Sequence, residues 1–178
     1  MFKVNDYIVY GSTGVCQIVD IRKEKYLSSG ETEYYVLKPV YNNNMIIKTP
    51  VNNRKVVMRE TITKADVSSL ITTMSETETS WINDDRQRGE AFKAALRTGK
   101  SEECLKIIKT IYLEKKERSS IGKKLTKIDE DIMETAEKQL YGEFAIALNI
   151  SLDEVVPYIF KHISDNSIDV PPSNWPTP

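Results

Sequence analysis

The stretch DYIVYGSTGVCQIVDI, residues 6–21, sets β-branched and aromatic residues on both sides of a Gly11-Ser12-Thr13-Gly14 turn. Valine, isoleucine and tyrosine suit a pleated, half-buried surface. Glycine accepts the positive φ of a tight turn, so the stretch reads as two strands, 6–10 and 14–21. Working outward, TEYYVLKPVY (32–41), NMIIKTPV (44–51) and RKVVMR (54–59) are three more strand candidates, set off by Ser28-Ser29-Gly30 and Asn42-Asn43-Asn44. Five short strands are too few to bury both faces of a flat sheet, which favours a small bent barrel filled by side chains. Pro39 and Pro50 donate no ladder hydrogen bond and mark edges or bulges, and an edge is a natural docking strip.

After about Glu60 the pattern turns helical. Residues 61–74 read as a short helix with Ala65, Leu70 and Ile71 as candidate buried positions, and Ser75 to Ser80 as a polar connector. A helix follows from Trp81 to Thr98-Gly99. Another opens at Ser101-Glu102-Glu103, with Leu105, Ile108, Ile111 and Tyr112 at core spacing and Lys115, Lys116 and Arg118 near its negative end. Thr126-x-x-Asp129 caps a long helix with Ile132, Ala136, Leu140 and Phe144 on one face, and Ser151-x-x-Glu154 caps a last one through Val155, Ile159 and Ile163. The proline-rich residues 164–178 lack periodicity and read as a disordered tail, with Trp175 a loose aromatic. The fold class is therefore α+β, a β-domain followed by an all-α helical bundle. The expected divisions are 1–60, a connecting helix and linker at 61–80, a helical domain at 81–163, and the tail.

Composition narrows the function. With 40% apolar and 29% charged residues and no signal-peptide or membrane-spanning run, the chain is expected to be cytoplasmic. Cys16 and Cys104 have neither CxxC spacing nor partner histidines, so no disulfide, metal or cofactor is expected. Lys+Arg at 25 against Asp+Glu at 26 gives no overall basic charge to hold DNA. The single histidine, His162, reads as a helix-end residue facing the dipole rather than as a base. The pairs Asp84-Asp85 and Glu102-Glu103 point about 100° apart on a helix, as on a solvated face. None of the nucleophile-elbow, P-loop, dinucleotide or HExxH motifs is present, and no enzyme or catalytic residue is expected.

The stretch SETETSWINDDRQRGEAFKAALRTG, residues 75–99, holds Trp81 where a polar connector meets a helix. Eleven residues on, Phe92 returns to nearly the same azimuth, which makes Trp81 a core residue. Asp85 and Arg88 between them are poor core residues, which makes it an exposed aromatic instead. Both readings stand on the residues alone.

The opening FKVNDYIVYGSTGVCQI, then GETEYYVLK and MIIKTPVNN, resembles the CarD/CdnL family of bacterial RNA polymerase-binding transcription factors, whose amino-terminal domain recurs in the transcription-repair coupling factor. The likeness continues through Trp81, Arg86-x-Arg88, the turn from Gly99 to Cys104-Leu105, Lys123-Lys124-Leu125-Thr126 with Asp129, and AEKQLYGEFA at 136–145, covering about residues 1–160. The coupling factor itself is not implied, because its helicase motors are lacking. The resemblance implies a Tudor-like barrel that grips the polymerase β subunit and a helical domain that reaches the promoter.

In that family a tryptophan after the connector acts as a wedge at the upstream edge of the melted promoter, and Trp81 holds the matching position. An aromatic ring can stack on an unpaired base or pry open a minor-groove step. Arg86, Arg88, Lys93, Lys123, Lys124 and Lys127 are the candidate phosphate contacts, non-specific for sequence. Some family members carry arginines directly after the tryptophan, where this chain has Ile82, Asn83, Asp84 and Asp85. On the polymerase side, Lys48 matches a basic position of the family and a second aligns with Glu24 or Lys25; the candidates are Lys25, Ile47, Lys48 and Pro50, on a strand suited to β-augmentation. A monomer tethered to polymerase meets DNA at millimolar effective concentration, so near-neutral charge is no obstacle and the protein is expected on the nucleoid through polymerase. The competing expectation is an adaptor whose helical domain recruits another protein and buries Trp81.

Overall fold

A computed structural model describes residues 1–26, 30–41 and 44–164. Strands β1 (Tyr7–Tyr10), β2 (Val15–Tyr26), β3 (Gly30–Pro39), β4 (Ile47–Pro50) and β5 (Met58–Glu60) form one antiparallel sheet in the order β4-β3-β2-β1-β5. The long β2 and β3 pair from Cys16↔Pro39 to Tyr26↔Gly30, with a bulge between Ile18 and Asp20. The extra residue there, Val19, is exposed, and the bulge adds local bend and twist to β2. Ile8, Cys16, Ile18, Tyr35 and Leu37 are buried on one face. Tyr35 escapes the cost of burying a phenol because its hydroxyl accepts from the Phe2 amide at 3.1 Å.

The expected barrel is not closed. β4 and β5 are the two edges of the sheet, four and three residues long, and neither is hydrogen-bonded to the other. On β5, Met58 packs on the sheet's own core while Arg59 reaches the helices. Pro39, expected at an edge or bulge, lies in the interior strand β3, but β4 pairs only with Tyr34 to Leu37, so the missing amide falls beyond the pairing. Pro50 does end an edge strand.

Among the described residues five helices follow: α1 (Lys64–Thr73), α2 (Asp85–Arg97), α3 (Ser101–Ser120), α4 (Lys127–Leu148) and α5 (Leu152–Ser164). Capping explains the starts. Thr63 and Asp66 form a reciprocal capping box, Asp84 accepts from the Gln87 amide at 2.7 Å, and the Thr126 hydroxyl accepts from the Asp129 amide at 3.2 Å. Ile132, Ala136, Leu140 and Phe144 of α4 are all buried, packed with Val67, Ile71, Leu105, Ile108, Ile111, Val155 and Ile159 in one core. Ala65 is exposed; Val67 takes the inward position on α1, with Leu70 only partly buried. Residues 165–178, with Trp175, lie outside the described residues, as does the side chain of Ile163.

The sheet sits directly on the helices. Arg59 of β5 donates to both carboxylate oxygens of Glu143 on α4, with the Nη2 contact at 2.8 Å, and its Nε donates to the Gly99 carbonyl at 2.8 Å. Glu143, 2% exposed, also accepts from the Ile62 amide at 2.8 Å and the Ser101 hydroxyl at 2.5 Å. Gln139 donates to the Ser12 carbonyl at 3.1 Å, and the Tyr41 hydroxyl to the Gly142 carbonyl at 3.3 Å. Gly99, at φ +64°, ends α2 where a Cβ would stand 3.3 Å from Val9 Cγ1.

Candidate functional site

Trp81 precedes α2 rather than forming its first turn, because Asp84 is the cap that starts the helix. Trp81 and Phe92 therefore do not share a face of one helix, despite their eleven-residue spacing. Cations hold the segment on both sides. The Lys109 ammonium donates to the carbonyls of Met74, Ser75 and Thr77 at 3.1, 2.7 and 2.7 Å, fixing the connector to α3. Burial lowers its pKa. After Trp81, Arg88 Nη1 donates to the Ile82 carbonyl at 2.7 Å.

The Trp81 ring is partly buried against the helical core. Its centroid lies 4.0 Å from the guanidinium carbon of Arg88 and 5.3 Å from that of Arg118, so two cations meet its π-face electrons. Arg88 is itself fully buried and forms a bidentate pair with Asp129, at 2.8 and 2.7 Å, and a further bond to Asp85 at 2.7 Å. Burial pushes the Asp129 carboxyl up, but hydrogen bonds from Arg88 and Thr126 outweigh it and hold the group below the usual carboxylate range. Arg118 is tied to Glu114 one turn back at 2.6 Å.

This corrects the reading of Arg88 as a phosphate contact. Its donors are spent on Asp129, Asp85 and the Ile82 carbonyl, and its side chain has no exposed surface. The other cationic candidates are exposed: Arg86 in the first turn of α2, Lys93 two turns on, and Lys123 and Lys124 in the turn before α4. Lys127 is exposed as well, though paired with Asp131 at 2.9 Å, an ion pair that water and salt weaken. Lys109, Arg118 and Asp129 complete the setting of Trp81, and reasoning from sequence did not assign them that part. Only the i, i+4 spacing of Glu114 and Arg118 and the cap at Asp129 were signals, and neither points to an indole.

On the sheet, Lys48 stands on the edge strand β4, paired with Glu24 and 4.9 Å above the Tyr34 ring. Ile47 is half-buried and Pro50 ends the strand. Lys25 is exposed opposite Glu31 in the β2–β3 ladder, and strand alternation puts it on the other face from Glu24. The structure thus brings Glu24, not Lys25, to Lys48.

Among the described residues no group of three His, Cys, Asp or Glu side chains is placed to hold a metal ion, and no helix is long and apolar enough to cross a membrane. No curated protein matches the chain. The family model of the CarD-like/TRCF RID domain does match, over residues 2–62, which spans all five strands and ends just before α1. Residues 2–62 of this chain are thus similar to the RNA polymerase-interacting domain of CarD-like proteins, and the match covers the sheet and not the helices.

Proposed function

We propose that the chain is a non-enzymatic transcription regulator that docks on the polymerase β subunit through residues 2–62 and lengthens the life of the open promoter complex through Trp81. The RID match is the observation that carries this reading. In it, β4 offers its free edge to a polymerase strand, with Lys48 beside it. Trp81 stacks at the upstream edge of the melted DNA, and Arg86, Lys93, Lys123, Lys124 and Lys127 hold phosphates without reading sequence. The protein acts as a monomer. Stacking worth about 1 to 3 kcal/mol per base lengthens the open complex roughly five- to a hundredfold.

The test is a pair of measurements on the full chain with Trp81→Ala: affinity for polymerase, and open-complex lifetime at saturating protein. Unchanged affinity with a shortened lifetime supports the wedge; an unchanged lifetime rejects it. One observation favours the adaptor reading, namely that Trp81 is partly buried and covers Arg88. With Trp175 replaced by Phe, fluorescence quenching separates the two: a ring open to iodide on one side fits the wedge, and a protected ring fits the adaptor.

A further inference from the structure

We infer that Arg59 and Glu143 are positioning residues that set where Trp81 stands relative to the RNA polymerase-interacting domain, an inference that rests on the wedge reading above. Three pieces of chain converge on one buried carboxylate. Arg59 reaches Glu143 from β5, the Ile62 amide from the link to α1, and Ser101 from the start of α3, while Arg59 also takes the Gly99 carbonyl at the end of α2. The two helices gripped there carry Trp81 at their far ends. α2 runs from Gly99 back to the Trp81 lead-in, and α4 runs from Glu143 back to Asp129, which holds Arg88 under the ring.

Leverage makes the clasp matter. At 1.5 Å per residue, the 13 residues of α2 place its first turn about 20 Å from the clasp, so a 10° slack there moves the ring by about 3 to 4 Å. Productive geometry at a site tolerates about 0.5 Å and 10–20°. A bidentate guanidinium–carboxylate pair constrains direction as well as distance, which a greasy contact of equal area does not. Net stability alone is a weak account of such a pair, since an apolar replacement of similar volume is often as stable.

The test uses full-length Arg59→Met and Glu143→Gln, the second of which keeps one carbonyl acceptor for the Ile62 amide and an NH2 that can donate to the Ser101 hydroxyl. Far-UV circular dichroism and melting report the fold, and residual dipolar couplings report the orientation of the sheet against the helices. Polymerase affinity and open-complex lifetime at saturating protein complete the set. We expect affinity within about twofold of the parent, altered orientation, and a lifetime shortened at least about fivefold, as loss of one stacking contact would do. Adding Trp81→Ala to either variant should shorten it no further. A purely structural clasp would lower the melting temperature and leave the saturated lifetime unchanged, and that result overturns the inference, as does loss of polymerase affinity. If Trp81→Ala alone has no effect, the wedge fails and the clasp role falls with it; if Trp81→Ala shortens the lifetime and the clasp variants do not, only the clasp role falls.

Discussion

The Trp81 ring lies 4.0 Å from the guanidinium carbon of Arg88, and Arg88 has no exposed surface. A cation that is both desolvated and roofed by an indole needs its charge answered, and Asp129, 1% exposed, answers it. The indole therefore rests on a buried ion pair rather than on aliphatic side chains alone.

Removing one partner of that pair leaves the other buried and uncompensated. Arg88→Met should destabilise the chain by about 3–5 kcal/mol, read from denaturant unfolding. Replacing both residues, Arg88→Met with Asp129→Leu, should recover most of the loss, because apolar groups of similar volume ask for no partner. A double variant no more stable than the single one would show that the charges themselves are required.

Glu137 on α4 supplies a pH dependence of the opposite sign to the usual paired carboxylate. Burial raises its pKa to about 7, with Lys115 pulling it down and Glu134 pushing it up, and its Oε1 has no hydrogen-bond partner among the described residues. The folded state then holds a proton that the unfolded state releases from about pH 4.3. Stability contributed by protonation is full below that point, declines as pH rises and is gone above about 7. Because Glu137 is partly exposed, the effect is discounted to about 1–2 kcal/mol. Glu137→Gln should gain about that much at pH 8 and flatten unfolding free energy between pH 4.5 and 7; an equal slope in the variant would reject the assignment.

Both cysteines are buried, and burial pushes each thiol up to about 12. Thiolate is the reactive form, so neither should react with an aromatic disulfide reagent in the native protein at pH 8. Modification should appear only at the rate of unfolding, with Cys16 reporting the sheet and Cys104 the helices. Fast labelling of either in native buffer would contradict the burial.

Gly99 joins α2 to the sheet at φ +64°, and Val9 leaves no slack for a side chain. Gly99→Ala should cost about 1–2 kcal/mol from the left-handed backbone alone, measured by thermal unfolding. The same change at Gly30, at φ +78° but with open space around it, isolates that backbone cost from the contact with Val9.

What could be read in the chain followed local rules. Thr126 caps α4 by a contact three residues away, and the four-residue spacing from Ile132 to Phe144 needs only the pitch of a helix, whereas the starts expected at Thr61 and Trp81 fall instead at the caps Thr63 and Asp84. Two points were lost to distance along the chain. Arg88 lies 41 residues from Asp129, and nothing near Arg88 distinguishes a buried guanidinium from a solvated one. Arg59 and Glu143 lie 84 apart, and nothing near either one in the chain tells that β5 meets α4 while β4 and β5 remain the two edges of an open sheet.

The difference between a buried and a solvated cation has a direct thermodynamic reading. DNA affinity falls with salt by a log–log slope of about 0.9 per phosphate contact. If the proposed promoter contacts hold, Lys123 and Lys124, exposed in the turn before α4, should each lower that slope by up to about one when changed to Ala, with no change in sequence preference. Arg88, spent on Asp129, touches no phosphate, so Arg88→Met with Asp129→Leu should leave the slope alone while altering Trp81 quenching. Titrating fork-junction DNA with the full chain at several salt concentrations measures both. A reduced slope in the Arg88 and Asp129 variant would mean that the guanidinium leaves its carboxylate to meet DNA. An undiminished slope in the Lys123 and Lys124 variants would move the phosphate contacts to Arg86, Lys93 and Lys127.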